Sequence, residues 1–144
     1  MIAHAGLLAQ RLDGCWRGVL IEGPSGCGKS DLALRLLDQG FRLIADDRVI
    51  LWESDGRLFG RAPDTLRGLL EVRGLDVITV PSLPFSEVVL VVGPGEPERV
   101  PHPRRAKRLG VALPHLVISY NEASAPAKLG RALHTLYLAN QRRM

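Results

Sequence analysis

Gly18-Val19-Leu20-Ile21-Glu22 is a short apolar run that stops at a glycine-rich stretch, and Leu32, Leu34, Leu36 and Leu37 follow among good helix formers. A strand, a loop and a helix are predicted in that order. Gly40 stands where glycine favours the end of a helix, and Phe41-Arg42-Leu43-Ile44-Ala45 reads as the next strand, closed by Asp46 and Asp47. Val49-Ile50-Leu51-Trp52 and Arg57-Leu58-Phe59-Gly60 flank Glu53-Ser54-Asp55-Gly56, a hairpin signal because Asp-Gly supplies the positive φ angles of a tight turn.

Further strand-like pieces follow at Leu69 to Gly74, Val77 to Val80 and Glu87 to Val92, so a β-rich middle succeeds the first strand–helix–strand unit. Gly93 to Pro103 is rich in proline and reads as a surface loop leading to the basic residues Arg104, Arg105, Lys107 and Arg108. Leu129, Ala132, Leu133, Leu136 and Tyr137 recur at helical spacing within a predicted amphipathic helix, Ala127 to Gln141. These elements predict an α/β fold with a mixed central sheet and helices on its faces, in one domain over residues 1–144.

Composition changes this picture little. Hydrophobic residues make up 46% and charged residues 24%, as in ordinary globular domains. The longest apolar run, Val88 to Val92, is far short of a membrane-spanning helix, and the N-terminus lacks the pattern of a secretory signal. A cytoplasmic protein with no membrane partner is expected. Two cysteines, Cys15 and Cys27, without C-x-x-C spacing fit ordinary thiols in a reduced compartment. The net charge of +4, concentrated at Arg104 to Arg108 and at Arg142 and Arg143, suits an anionic partner or a solvated surface. No aromatic residue interleaves with the basic cluster to stack on bases, so no nucleic-acid partner is expected.

The chemistry lies in Gly23-Pro24-Ser25-Gly26-Cys27-Gly28-Lys29-Ser30, a G-x-x-x-x-G-K-S motif between an apolar strand and a helical pattern. Glycines let the backbone wrap a phosphate chain and turn successive N–H groups inward at a helix N-terminus. Lys29 adds charge at the outer phosphates, and Ser30 offers a hydroxyl to Mg²⁺. Phosphoryl transfer also needs a carboxylate for the metal and, in kinases, one to accept the proton of the attacking hydroxyl. Val88 to Val92 runs into Gly93-Pro94 and ends in no acid, so the role falls to Asp46 and Asp47. Glu71 and Arg73, two apart on a predicted strand, would share a face.

The glycine loop, Leu43-Ile44-Ala45-Asp46-Asp47-Arg48-Val49 and Leu70-Glu71-Val72-Arg73-Gly74-Leu75 together resemble the catalytic domain of HPr kinase/phosphorylase. The chain is similar to short members of that family, found in alphaproteobacteria, which lack the N-terminal domain. The resemblance runs from His4 to about Leu113 and implies a P-loop kinase fold of the phosphoenolpyruvate-carboxykinase type. It also implies an enzyme that uses ATP and Mg²⁺ to phosphorylate a serine of the phosphocarrier HPr, and that removes this phosphate with inorganic phosphate, giving pyrophosphate. A homohexamer is the family's assembly.

Carried over by position, Asp47 is implied as proton acceptor, with Asp46 beside it. Lys29 holds phosphates, Ser30 and Glu71 bind Mg²⁺, His4 matches a family histidine before the first strand, and Arg108 in Arg108-Leu109-Gly110 matches an arginine able to stabilise the transferring phosphoryl group. Asp76 stands where the family has glycine. Asn121 to Lys128 departs from a P-V-R-P-G-R-N-like element tied to dephosphorylation, with Lys128 as the candidate phosphate contact left there. A nucleotide-sensing regulatory module, which binds ATP and a partner without efficient transfer, is the alternative. A small-molecule kinase and a basic nucleic-acid binder are more distant.

Overall fold

A computed structural model describes residues 1–142, with side chains as far as Thr135. In chain order the elements are β1 (Ile2–Leu12), β2 (Cys15–Glu22), α1 (Lys29–Leu37), β3 (Phe41–Ala45), β4 (Arg48–Ser54), β5 (Arg57–Arg61), β6 (Leu69–Val72), β7 (Asp76–Thr79), β8 (Ser86–Pro94), β9 (Arg104–Arg108), β10 (Val111–Ile118) and α2 (Ala125–Arg142). A 3-10 turn, Asp64–Leu66, precedes β6. Arg143, and the side chains of Leu136, Tyr137 and Arg142, lie outside the described residues. Among the described residues no helix is long and apolar enough to cross a membrane.

The sheet is mixed, as the apolar pattern predicts, and its pairings close on themselves. Strands β2, β1, β4, β5 and β8 are neighbours in that order, and β8 pairs back to β2. The circuit holds one core on its inside, with Leu7, Leu20, Leu51, Leu58 and Val91, and presents Leu8, Val19 and Ile21 outward to α1 and α2 in a second core. Alternation along β1 and β2 decides which residue serves which core: Leu7 and Leu20 turn inward, Leu8 and Ile21 outward. The circuit is tight enough that a Cβ on Gly60 would lie 2.6 Å from Leu7 Cδ2 and 2.8 Å from Val49 Cγ1.

The strand Phe41 to Ala45, the Asp55-Gly56 hairpin and the C-terminal helix form where they are predicted, the helix starting two residues earlier at Ala125. Three strands were not predicted. β1 carries small and apolar residues on both faces because both are buried, so period-two alternation is lost. Its hairpin with β2 turns on Asp13-Gly14, with φ of 52° and 78°, which is an Asp-Gly signal of the same kind as Asp55-Gly56. This places His4 inside a strand, where the resemblance implies a position before the first strand. The basic cluster is itself edge strand β9, paired antiparallel with β10 through a Leu109-Gly110 turn. Charged side chains are a common way to protect such an edge. Pro114 and His115 disguise β10 in the sequence.

β10 runs parallel to β8, and β8 parallel to β2. Their carboxyl ends therefore share one edge of the sheet, the side on which open α/β folds bind ligands. The glycine loop leaves β2 there, and the segment 119–124 leaves β10 there.

Candidate functional site

Gly28 caps α1 with φ 103°, a left-handed conformation that an L side chain resists, and its carbonyl accepts the first helical hydrogen bond from the Leu32 N–H at 2.9 Å. Before it, the Cys27 N–H donates to the Pro24 carbonyl at 3.2 Å and Gly26 has φ 83°, so the loop curls back on itself. A Cβ on Gly23 would lie 2.6 Å from Cys27 Sγ. The loop is thus built from residues that permit positive φ and close approach. Lys29 is buried, and its ammonium donates to the Gly23 carbonyl at 2.6 Å and the Pro24 carbonyl at 3.0 Å.

Asp46 and Asp47 sit in a turn between β3 and β4, and they face opposite surroundings. The Arg48 N–H reaches the Asp46 carbonyl at 2.8 Å, and the turn puts Asp47 at φ 70°. Asp46 points inward and is buried; the Ser30 hydroxyl donates to its Oδ1 at 2.9 Å and the Glu71 N–H to its Oδ2 at 3.1 Å. Burial raises the Asp46 pKa above its ordinary 3.8, the two hydrogen bonds oppose that rise, and the nearby Asp47 and Glu71 carboxylates add to it. Asp47 points outward, with His4 Nδ1 3.7 Å from its Oδ1 and Arg48 Nε 4.0 Å from its Oδ2. Both the His4 and Asp47 side chains are more than half exposed (63% and 52%), so this contact adds little stability.

These elements enclose a cavity of about 570 Å³ whose lining includes Ser25, Gly28, Lys29, Ser30, Asp47 and Glu71. Val72, Arg73 and Asn121 also line it, Asn121 close beside Gly28 of the loop. Glu71 and Arg73 both line the cavity, Glu71 from β6 and Arg73 from the turn just beyond. Arg108 does not line the cavity: its guanidinium forks onto Glu22, with contacts of 2.9 Å and 2.6 Å. Lys128 pairs with Glu122 at 2.6 Å and is also absent from the lining. Asp76 accepts from the Val77 N–H at 2.7 Å within the β6–β7 hairpin.

Among the described residues no group of His, Cys, Asp and Glu forms a metal site on its own. Mg²⁺ rarely needs one, because it is usually held by one or two carboxylates together with phosphates and water. The Ser30 hydroxyl and the Asp46 and Glu71 carboxylates are hard oxygen donors, and the crowding of Asp46 by two further carboxylates is the electrostatic situation that a cation relieves.

Residues 7–89 match the model of the HPr serine kinase C-terminal domain. The chain belongs to that family. Curated relatives named HPr kinase/phosphorylase include those of Clostridium tetani, 54% identical, and Clostridium beijerinckii, 52% identical, each over 66 residues. That stretch is 46% of this chain and 22% of the relative, so the match spans about a fifth of the length of these relatives. The solved Hpr(Ser) kinase/phosphatase of Coxiella burnetii superposes with a TM-score of 0.83 at 26% identity, covering 99% of this chain and 94% of that one. The fold is therefore the α/β fold of that kinase.

Two participants in the site were not singled out from the sequence. Tyr120 is buried, with its hydroxyl 2.6 Å from the Glu22 carbonyl and 3.0 Å from that of Val92, and burial raises its pKa. Arg35, on α1, forks onto the backbone carbonyls of Glu122, at 2.9 Å, and Tyr120. The Asp31-Arg35 pair, four apart on α1, is a local signal, but the carbonyls that Arg35 holds lie 85 and 87 residues away, and Tyr120 reaches across 98 residues to Glu22 and 28 to Val92.

Proposed function

We propose that this chain is one catalytic domain of the P-loop, phosphoenolpyruvate-carboxykinase-like class, an ATP- and Mg²⁺-dependent kinase that phosphorylates a serine of HPr. The observation that carries the reading is the divergence of two adjacent carboxylates. Asp46 is buried against Ser30, while Asp47 is exposed on the rim of the cavity that the glycine loop lines. Neighbouring acids in contrasting environments can take different tasks.

In this reading the loop N–H groups and Lys29 bind the phosphate chain, with the ammonium moving from the Gly23 and Pro24 carbonyls to phosphate oxygens. Ser30, Asp46 and Glu71 hold Mg²⁺, which when bound neutralises phosphate charge. Asp47 accepts the proton of the serine hydroxyl as the serine oxygen bonds to the γ-phosphorus and the bond to the ADP oxygen breaks. His4 orients Asp47. Arg108 reaches the phosphoryl group only if its pair with Glu22 opens, so its contribution depends on a rearrangement.

The name of the curated relatives includes a phosphorylase activity. Here it would run the same site backwards, with inorganic phosphate attacking phosphoserine to give pyrophosphate and Asp47 returning the proton. A cytoplasmic homo-oligomer, hexameric as the resemblance implies, completes the reading. Incubation with ATP, Mg²⁺ and HPr followed by mass analysis tests it: one phosphoryl group gained on an HPr serine is expected. Tight ATP binding with no transfer would leave the nucleotide-sensing alternative in its place.

A further inference from the structure

The segment that leaves β10 is braced to both sides of the glycine loop. On one side the Tyr120 hydroxyl lies 2.6 Å from the carbonyl of Glu22, the residue just before the loop. On the other, Arg35 of α1 holds the carbonyls of Tyr120 and Glu122, and its Nε bonds Asp31 Oδ2 at 3.0 Å, which fixes the plane of the fork. Between these two anchors stands Asn121. Its side chain lines the cavity, and a Cβ on Gly28 would lie 2.9 Å from its Oδ1. The carboxamide therefore packs against the loop backbone, at the wall of the cavity that Asn121 and the loop line together. A neutral double donor placed there matches an anionic phosphate oxygen.

We propose that Asn121 hydrogen-bonds the phosphate chain of the bound nucleotide, and that Arg35 is the positioning residue that holds it there. The proposal rests on the reading of the glycine loop as a phosphate site and gives a task to a segment, 121–128, that departs from the family element. A backbone clamped at both neighbours of Asn121 leaves its side chain few directions, which lowers the ordering cost of a hydrogen bond to the ligand.

The test measures ATP and inorganic tripolyphosphate affinity by calorimetry for the full chain and its variants. Absence of ATP binding by the unaltered protein would defeat the phosphate-site reading itself, separately from this proposal. Given that binding, Asn121→Ala is expected to raise Kd about 10-fold for both ligands, the loss typical of a hydrogen bond to a charged group. Unchanged affinity overturns the proposal, and so does a loss confined to ATP, which would make Asn121 a reader of the base. Arg35→Met is expected to weaken both ligands similarly, to add little in combination with Asn121→Ala, and to be partly rescued by Arg35→Lys. If Arg35→Met lowers only the melting temperature, or if Arg35→Lys, chosen in case the methionine variant does not fold, binds both ligands as tightly as the unaltered protein, the positioning role is wrong.

Discussion

The Ser30 hydroxyl donates a 2.9 Å hydrogen bond to Asp46 Oδ1, tying the first turn of α1 to the end of β3. The contact joins the glycine loop's last residue to the only carboxylate of the site that is buried. It keeps two oxygen donors adjacent before any ligand arrives, at the cost of a buried charge whose ionised form is disfavoured.

That cost has a measurable sign. The Asp46 pKa is raised in the folded protein, so the folded form holds the proton more tightly than the unfolded chain does. The resulting stability is fully present below the ordinary 3.8 and is lost as pH rises through the raised value. Asp46→Asn removes this dependence and can keep both hydrogen bonds, with its oxygen accepting from the Glu71 N–H and its NH₂ donating to Ser30 Oγ. Without nucleotide, the melting temperature of the asparagine variant minus that of the unaltered protein should grow as pH rises from the ordinary 3.8 through the raised value. The same variant should require more Mg²⁺ for transfer. A constant difference across that range would mean that Asp46 is not strained by its charge.

Asp47 carries a different strain, in its backbone. At φ 70° a side chain is held in the left-handed region, which Asp tolerates better than most residues but glycine tolerates freely. Asp47→Gly should therefore leave stability unchanged or raise it by up to about 1 kcal/mol while abolishing transfer. Asp47→Asn keeps the shape and removes the base, so transfer should fall about 10²- to 10⁴-fold with ATP affinity near normal. Single-turnover phosphorylation of HPr reads both variants. Wild-type transfer by the asparagine variant would remove the proton-acceptor role.

Two of the three donors of the Lys29 ammonium are taken by the Gly23 and Pro24 carbonyls. Lys29→Ala should weaken ATP binding and transfer together, because the loop loses the cation beside the outer phosphates. The two loop carbonyls also lose their donor, so the melting temperature should fall in the absence of ligand. Unchanged nucleotide affinity would detach the motif from nucleotide binding.

What the chain reveals before folding is what is local. The glycine loop, the Asp46-Asp47 turn and the Asp55-Gly56 hairpin are written in consecutive residues, and each appears where the pattern puts it. Strands β9 and β10 are hidden because Arg104 to Arg108 reads as a solvated charge run and Pro114 interrupts an otherwise apolar stretch. The fork of Arg108 on Glu22 and that of Arg35 on the 120–122 backbone span more than 80 residues, so only the closed sheet brings them together. Glu71 and Arg73, two apart in the chain, both reach the cavity although β6 ends at Val72 between them. The family signature supplies the candidate chemistry, and the tertiary pairings decide which of its residues meet.

Gly28 lets the two sources of constraint at the loop be separated. Its φ of 103° strains any L residue, and its Cβ position is 2.9 Å from Asn121 Oδ1, with Tyr120 Cβ at an ordinary 3.6 Å. Gly28→Ala should therefore destabilise the protein through both the backbone and the contact, by about 2–4 kcal/mol in all. Asn121→Ala alone removes an exposed side chain and should change stability by no more than about 0.5 kcal/mol. Combined, the two should cost less than the sum of their separate effects, because the shortened residue 121 removes the clash and leaves only the backbone strain. Denaturant unfolding of the four proteins measures the coupling. Strict additivity would mean that the Asn121 carboxamide turns aside at no cost, and that nothing holds this side chain against the loop.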